Sequence, residues 1–458
     1  MSHDLDPVST VIFWVTLIFL FGVTGRNIAL RLNQPGVLGE LLMGVLLGNV
    51  CYFFGLELVT VLREGSAIFS IMADMLKGNS LTQAVTQSIH DPKYAHLVVA
   101  ALSGSQGNDL LKVAYVVDIF SRYGVIFLLF LVGVESSIAE LKRTGKESVR
   151  VAVIGVLAPM ILGLLVMCVL LPELSFTSDL FIAATLSATS IGITARALGE
   201  MRVLHTREAK TILGAAMIDD ILGLIMLAVV SSLVITGTIN LMEISHIIIL
   251  AVLFFSLSLL LGPIVLKKLA DFFNFFDPWE EKLFISFVFM MGLSWLATLA
   301  GLASIIGAFA AGIIIHDGYF RKTNHDPRNT LSIRELLAPL EAIMVPLFFM
   351  LIGIQVKLEA FLSGQVLILA MALTVAAIIG KLISGLGGSR KDDRLLIGVG
   401  MLPRGEVGLV FASIGRALGV ITDDLFSAVI LMVIFTTFIA PPWLKARYTK
   451  HSSLNIST

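Results

Sequence analysis

Two adjacent carboxylates, Asp219 and Asp220, stand in the run Ala215-Ala-Met-Ile-Asp-Asp-Ile-Leu-Gly-Leu-Ile-Met226, which holds no other charge. A charged side chain at the centre of a membrane helix costs about 2.5–3.5 kcal/mol on insertion scales. Carboxylates in such a place can hold a hard monovalent cation, carry a proton, or divide the acid and base roles of an aspartyl protease. Neighbouring helix positions point about 100° apart. One carboxylate can therefore face an ion cavity while the other faces an adjacent helix. Lys381, in Ala376-Ala-Ile-Ile-Gly-Lys381, is the candidate partner for either. Pairing offsets both desolvation costs and couples the two titrations. The alternative for Lys381 is to snorkel to the inner interface, since Arg390 follows nine residues on.

Two further segments carry the wrong residues for an uninterrupted helix. One is Thr185-Leu-Ser-Ala-Thr-Ser-Ile-Gly-Ile-Thr194. The other is Gly398-Val-Gly-Met-Leu-Pro403-Arg404-Gly405-Glu406-Val-Gly408. Proline removes a helix hydrogen bond, and glycine and hydroxyl residues loosen a helix. Unwound backbone at membrane depth is tolerated only when it is buried or lines a cavity. Its carbonyls, with the Thr189 and Ser190 hydroxyls, suit a hard cation, and the half-helix ends add favourable dipoles. Arg404 and Glu406 are expected to pair with each other or with the broken helix ends, as scaffold and not as ion ligands.

The elements that position these residues follow from composition. The 458 residues are 57% hydrophobic and only 14% charged, against about a quarter charged in soluble domains. Mean hydropathy is +0.94, which points to a bilayer and not to a large soluble core. The net charge of -1 gives no case for nucleic acid. Cys51 and Cys168 read as small apolar-run residues, and no zinc-protease, phosphate-loop or nucleophile-elbow pattern occurs. No cofactor is expected. The first apolar run follows the acidic start Met1-Ser-His-Asp-Leu-Asp6, unlike a signal peptide, and reads as a retained span.

Thirteen runs are long enough to cross as helices: 11–31, 36–58, 116–137, 148–171, 179–199, 208–236, 243–268, 280–299, 301–318, 334–356, 365–387, 394–418 and 423–444. The eighth and ninth nearly touch, so twelve is the alternative count. With the N-terminus outside, 22 of the 32 lysines and arginines fall on the inner side, which places the C-terminus in the cytoplasm. Arg196, Lys381 and Arg404 remain at or within the membrane.

The chain also echoes itself. Leu131-Val-Gly-Val134 resembles Leu351-Ile-Gly-Ile354, and Arg196-Ala-Leu-Gly199 is identical to Arg416-Ala-Leu-Gly419, both at an offset of 220 residues. Gly39 and Gly44 match Gly307 and Gly312 at an offset of 268. The difference is absorbed by the long segment 59–115, read as an extracytoplasmic insertion without an assigned role. The expected fold is an all-α polytopic membrane protein with two inverted six-helix repeats and two crossing discontinuous helices. Residues 1–58 would be the first two spans of repeat 1 and 116–236 its core half. A linker span covers 237–279, and 280–333 and 334–444 are the matching parts of repeat 2. A cytoplasmic tail covers 445–458. Glu40 is read as interfacial, Glu135 and Gln355 as span-end residues, and His205, His246 and His316 as residues near span ends.

These residues resemble the NapA-like bacterial sodium/proton antiporters of the monovalent cation/proton antiporter superfamily, and more distantly NhaA. The resemblance rests on Ile218-Asp219-Asp220, Ala188-Thr189-Ser190, Lys381 and Pro403-Arg404-Gly405-Glu406-Val407-Gly408. It implies a homodimer in a bacterial inner membrane, with dimerisation and core domains that move against each other. It implies that Asp220 binds sodium and proton in turn, with Asp219 beside it at the metal site and able to pair with Lys381. Ser190 stands where NhaA has an aspartate. Potassium efflux relatives of the Kef type typically have another residue before a single aspartate, and the nucleotide-binding tail of that type is not found. The reaction implied is sodium, or lithium, for protons by alternating access, electrogenic if Lys381 also releases a proton. A potassium/proton exchanger and, more remotely, an intramembrane aspartyl protease are the alternatives.

Overall fold

A computed structural model of the chain describes residues 7–32, 34–64, 67–89, 92–135, 145–190, 193–194, 197–198, 201, 203, 206–236, 241–273, 276–320 and 331–456. Among these, the side chains at 7, 69, 135, 235–236, 241–244, 246–247, 406 and 449–456 are not described. The expectations for Arg196, Glu135, His205 and His246 fall outside the described residues or side chains.

The described residues form eighteen α-helices and no strand. They are α1 Pro7–Arg31, α2 Gly36–Phe53, α3 Glu57–Arg63, α4 Ala67–Leu76, α5 Leu81–Ser88, α6 Pro92–Ser103, α7 Gly107–Glu135, α8 Lys146–Leu170 and α9 Phe176–Ser187. Then come α10 Arg207–Thr236, α11 Leu241–Phe272, α12 Pro278–Leu299, α13 Ser304–Ile314, α14 Ile333–Gln355, α15 Gly364–Ser384, α16 Arg394–Gly400, α17 Glu406–Ala417 and α18 Asp423–Ile456. Ten of them, α1, α2, α7, α8, α10, α11, α12, α14, α15 and α18, are long and apolar enough to cross a bilayer. A helix satisfies its own backbone, which is what lipid demands of a spanning segment. The apolar helices α9, α13 and α17 are shorter, at 10–17 residues.

Several boundaries differ from those expected. The third run begins at Gly107 and not at 116, because the first turns of α7 pack Leu110, Val113 and Val117 into a protein core. The eighth and ninth runs are separate helices, divided at Gly301, whose φ of +75° is strained for any residue with a Cβ. In the fifth run α9 ends at Ser187 and the chain is helical again at 193–194 and 197–198, and the twelfth is split into α16 and α17. The last helix continues past 444 through Pro441 and Pro442, so the expected tail is largely its extension.

The chain divides into two compact units. The first holds Met1–Gly124, Ile343–Ile368 and Ser413–Ile430. Here the 59–115 segment folds as α3 to α6, with α5 opened by a capping box between Ser80 and Gln83. Buried side chains of these four helices share a core with Ile18 of α1, Val113 and Val117 of α7, and Met350 and Ile354 of α14. Glu40 is buried, with an Arg26 guanidinium nitrogen 3.8 Å away. The second unit holds Val125–Ala342, Leu369–Ala412 and Leu431–Thr458. In it α8 packs on α9 and α10, and α12 on α13.

The glycines of the sequence echo mark close helix contacts in each unit. In the first, a Cβ on Gly44 would lie 2.5 Å from the Met350 carbonyl oxygen, and one on Gly353 2.3 Å from that of Leu41. In the second, a Cβ on Gly312 would lie 2.0 Å from the Phe130 carbonyl oxygen, and one on Gly133 2.4 Å from that of Phe309. Phe130 and Met350 differ by 220, and Leu41 and Phe309 by 268, so the two contacts use positions related by the offsets of the echo. Likewise Gly39 abuts the Gly25 carbonyl and Gly307 that of Leu293, again 268 apart. Helices lacking side chains at these points approach backbone to backbone, the packing favoured where lipid offers no hydrophobic drive between helices.

Candidate ion site

All the described parts of the site lie in the second unit. Asp219 and Asp220 are one residue apart at the middle of α10, an unbroken helix from Arg207 to Thr236. Both are buried, at 1% and 3% exposure. Lys381, near the end of α15, is fully buried. Its Nζ lies 3.2 Å from Asp219 Oδ1 and 3.3 Å from Oδ2. Of the two possible partners, Lys381 therefore engages Asp219, and it does not snorkel. Two glycines make the room. A Cβ on Gly380 would fall 2.5 Å from Pro159 Cα, so its absence lets α15 close on α8. A Cβ on Gly155 would lie 3.6 Å from the ammonium. Pro159 also denies the Gly155 carbonyl its helix donor at the level of the lysine.

The two interrupted helices meet at their interruptions. Beyond Ser187 the chain turns extended at Ala188, with φ −58° and ψ 139°. The Ser190 amide donates to the Pro403 carbonyl at 2.8 Å. The Thr194 hydroxyl donates to Gly400 O, the last residue of α16, at 2.8 Å. Each unwound stretch thus supplies hydrogen bonds that the other's helix has lost. Gly405 sits close enough to Ser190 that a Cβ would be 3.0 Å from its Oγ.

Arg404 is fully buried and donates to the carbonyls of Ala188, at 3.1 Å, and Ala377, at 3.3 Å. Its own carbonyl accepts from the Thr437 hydroxyl of α18. The guanidinium thereby caps the carbonyl end of α9, where a cation is favoured by the helix dipole. The side chain of Glu406 lies outside the described residues. Thr189 and Ser190 are buried beside this crossing, and the Thr189 hydroxyl has no hydrogen-bond partner among the described residues. Among the described residues no group of three or more His, Cys, Asp or Glu side chains is placed to hold a resident metal.

A family model for the transmembrane sodium/hydrogen exchanger matches residues 15–447, nearly the whole chain. The chain belongs to the sodium/hydrogen exchanger family. It is a membrane transporter, not an enzyme, and the aspartyl protease alternative falls with that assignment. The exchanger is 36% identical over 444 residues to the high-affinity Na+/H+ antiporter NhaS3 of Synechocystis sp., covering 95% of this chain and 89% of the relative. It is 30% identical over 443 residues to the Na+/H+-K+ antiporter GerN of Bacillus cereus, covering 94% and 95%. Its fold is similar to that of the sodium proton antiporter MjNhaP1 of Methanocaldococcus jannaschii, with a TM-score of 0.60, 16% identity and coverage of 98% and 99%.

Sequence reasoning did not single out the backbone groups that join the interruptions, nor Thr437, which lies in an apolar run without any local mark. Nor did it single out Pro159 and Gly155, a proline and a glycine in the apolar run 148–171 that spacing could not pair with Lys381.

Proposed function

We propose that the exchanger moves sodium against protons by alternating access, with Asp220 as the carrier of both. The observation that carries this reading is a pair of adjacent buried carboxylates on α10, with the buried Lys381 ammonium in contact with Asp219. An ionised Asp220 attracts the cation, protonation displaces it, and loss of the proton on the other side restores the site. Thr189, Ser190 and the unwound carbonyls complete a hard oxygen coordination. Asp219 shares the site's charge and answers to Lys381. Arrival of a cation weakens the hold of Asp219 on the lysine proton. Release of that proton makes the cycle two protons per cation, hence electrogenic.

The equivalent glycine contacts support an inverted repeat, and the joined interruptions at Ser190 and Pro403 support the crossing of two discontinuous helices. The orientation with the N-terminus outside, a bacterial inner membrane and assembly as a homodimer belong to the same reading. GerN, named for potassium as well as sodium, keeps the potassium alternative in play. Proteoliposomes loaded at fixed pH decide it. Proton flux driven by sodium and lithium, with potassium at least about tenfold weaker, is expected. Equal flux with all three ions would overturn sodium selectivity.

A further inference from the structure

The first unit holds a second set of charges that the exchange chemistry does not use, buried at Arg63, Glu64 and Lys357 and partly exposed at Glu359 and Asp423. Arg63 of α3 reaches both Glu359 carboxylate oxygens at 2.8 Å and lies 4.1 Å over the Tyr52 ring. Tyr94 of α6 donates its hydroxyl to Glu359 Oε1 at 2.8 Å. Lys357 donates to Glu64 at 2.9 Å and to Asp423, with its ammonium 3.3 Å from the Tyr94 ring centroid. Arg416 closes the set. It pairs with Asp423 at 2.6 Å and donates to Gln355 at 2.8 Å and to the Arg63 carbonyl at 2.7 Å. Asn49 of α2 ties in Val356 and Leu358 through their backbone, at 2.9 Å and 3.0 Å.

Three cations and three carboxylates thus balance, and Arg63 and Lys357 are 1% and 2% exposed. A buried ionic set adds little net stability over apolar packing, and the apolar core beside it already joins α3 to α6 with α14. What ions add is geometry: removing any member strands an opposite charge. Two of the elements pinned here lead straight to the ion site. The turn holding Lys357 and Glu359 enters α15, which carries Lys381. Arg416 stands at the far end of α17, a helix of 12 residues, about 18 Å long, that begins directly after the unwound 401–405 stretch.

We propose that the α3–α6 segment is an anchor, and that Arg63, Glu359 and Arg416 are positioning residues that hold α15 and α17 in the register the ion site needs. The inference rests on the reading that Lys381 and the unwound stretch belong to that site. Burial alone would raise the Glu359 carboxyl. Hydrogen bonds from Arg63, its own backbone and Tyr94, with the Arg63 charge, hold it below its ordinary value of 4.5. The stability it contributes is therefore present above that value and is lost as pH falls through the lowered one. Neutral-pH transport then tests the anchor with Glu359 ionised.

Glu359→Gln and Tyr94→Phe, each in the full chain, are compared in proteoliposomes with the exchanged pair Arg63→Glu with Glu359→Arg. Sodium KM, maximal flux, pH profile and thermal unfolding are read for each. Glu359→Gln is expected to raise the sodium KM at least about threefold and to shift the pH profile, with maximal flux less affected. The exchanged pair is expected to move both back towards the parent values. Tyr94→Phe, which removes one hydroxyl and little volume, should shift KM in the same direction by less. It also serves if Glu359→Gln does not fold. Unchanged KM and pH profile in the folded variants, with only the melting temperature lowered, would overturn the anchor. Asp220→Asn run alongside keeps the two readings apart, because flux surviving there overturns the ion site whatever the anchor variants do.

Discussion

Asp220→Asn is expected to reduce sodium-driven proton flux in proteoliposomes to the level of empty vesicles. The amide keeps the volume and most of the hydrogen-bonding capacity of the carboxylate at a position only 3% exposed. It removes the charge and the titrating proton. Losing one unit charge about 4 Å from a bound cation, at an effective dielectric near 20, forfeits about 4 kcal/mol. That is roughly a thousandfold in affinity. Since the amide also carries no proton, neither half of the exchange survives. Flux persisting at a tenth or more of the parent level, with intact protein, would move the carrier role elsewhere.

Lys381→Met is expected to have the second largest effect, on both stability and coupling. The ammonium is fully buried, and its contact with Asp219 is bidentate at 3.2 and 3.3 Å. Methionine fills the volume but strands the Asp219 carboxylate, which costs about 3–5 kcal/mol for a buried pair broken on one side. The double change Lys381→Met with Asp219→Asn should recover most of that loss, because no lone charge is then left. Thermal unfolding of the three variants in detergent measures it. Additive losses would show that the pair is not coupled. In liposomes, Lys381→Met should also flatten the response of transport to an imposed membrane potential. An unchanged response takes Lys381 out of the proton count.

The sequence made the expensive residues legible and the inexpensive ones invisible. Asp219, Asp220 and Lys381 stood out because a charge in a long apolar run is a free-energy anomaly that spacing alone reveals. The interruption at Pro403 was equally legible, since proline and glycine break helices by local chemistry. Which carboxylate the lysine chooses was implied by the family resemblance and not by spacing, because it depends on the approach of α15 to α8 at Gly380 and Pro159, residues more than 200 apart. The role of Arg404 was half visible. Its contacts with Ala188 and Ala377 are to backbone carbonyls, which carry no residue-type signal. The anchor was hidden for another reason. Arg63, Glu64, Tyr94, Lys357 and Glu359 sit in segments that read as ordinary polar connections, and only tertiary folding collects them.

The most direct test of a carboxylate shared between cation and proton is sodium binding measured by titration calorimetry across a pH series in detergent, with buffers of different ionisation enthalpy. Competition at Asp220 predicts that the apparent Kd weakens by up to about tenfold per pH unit on the acid side of the carboxylate. It also predicts that sodium expels protons into the buffer on binding. A sodium Kd independent of pH, with no proton release, would contradict competition at this site.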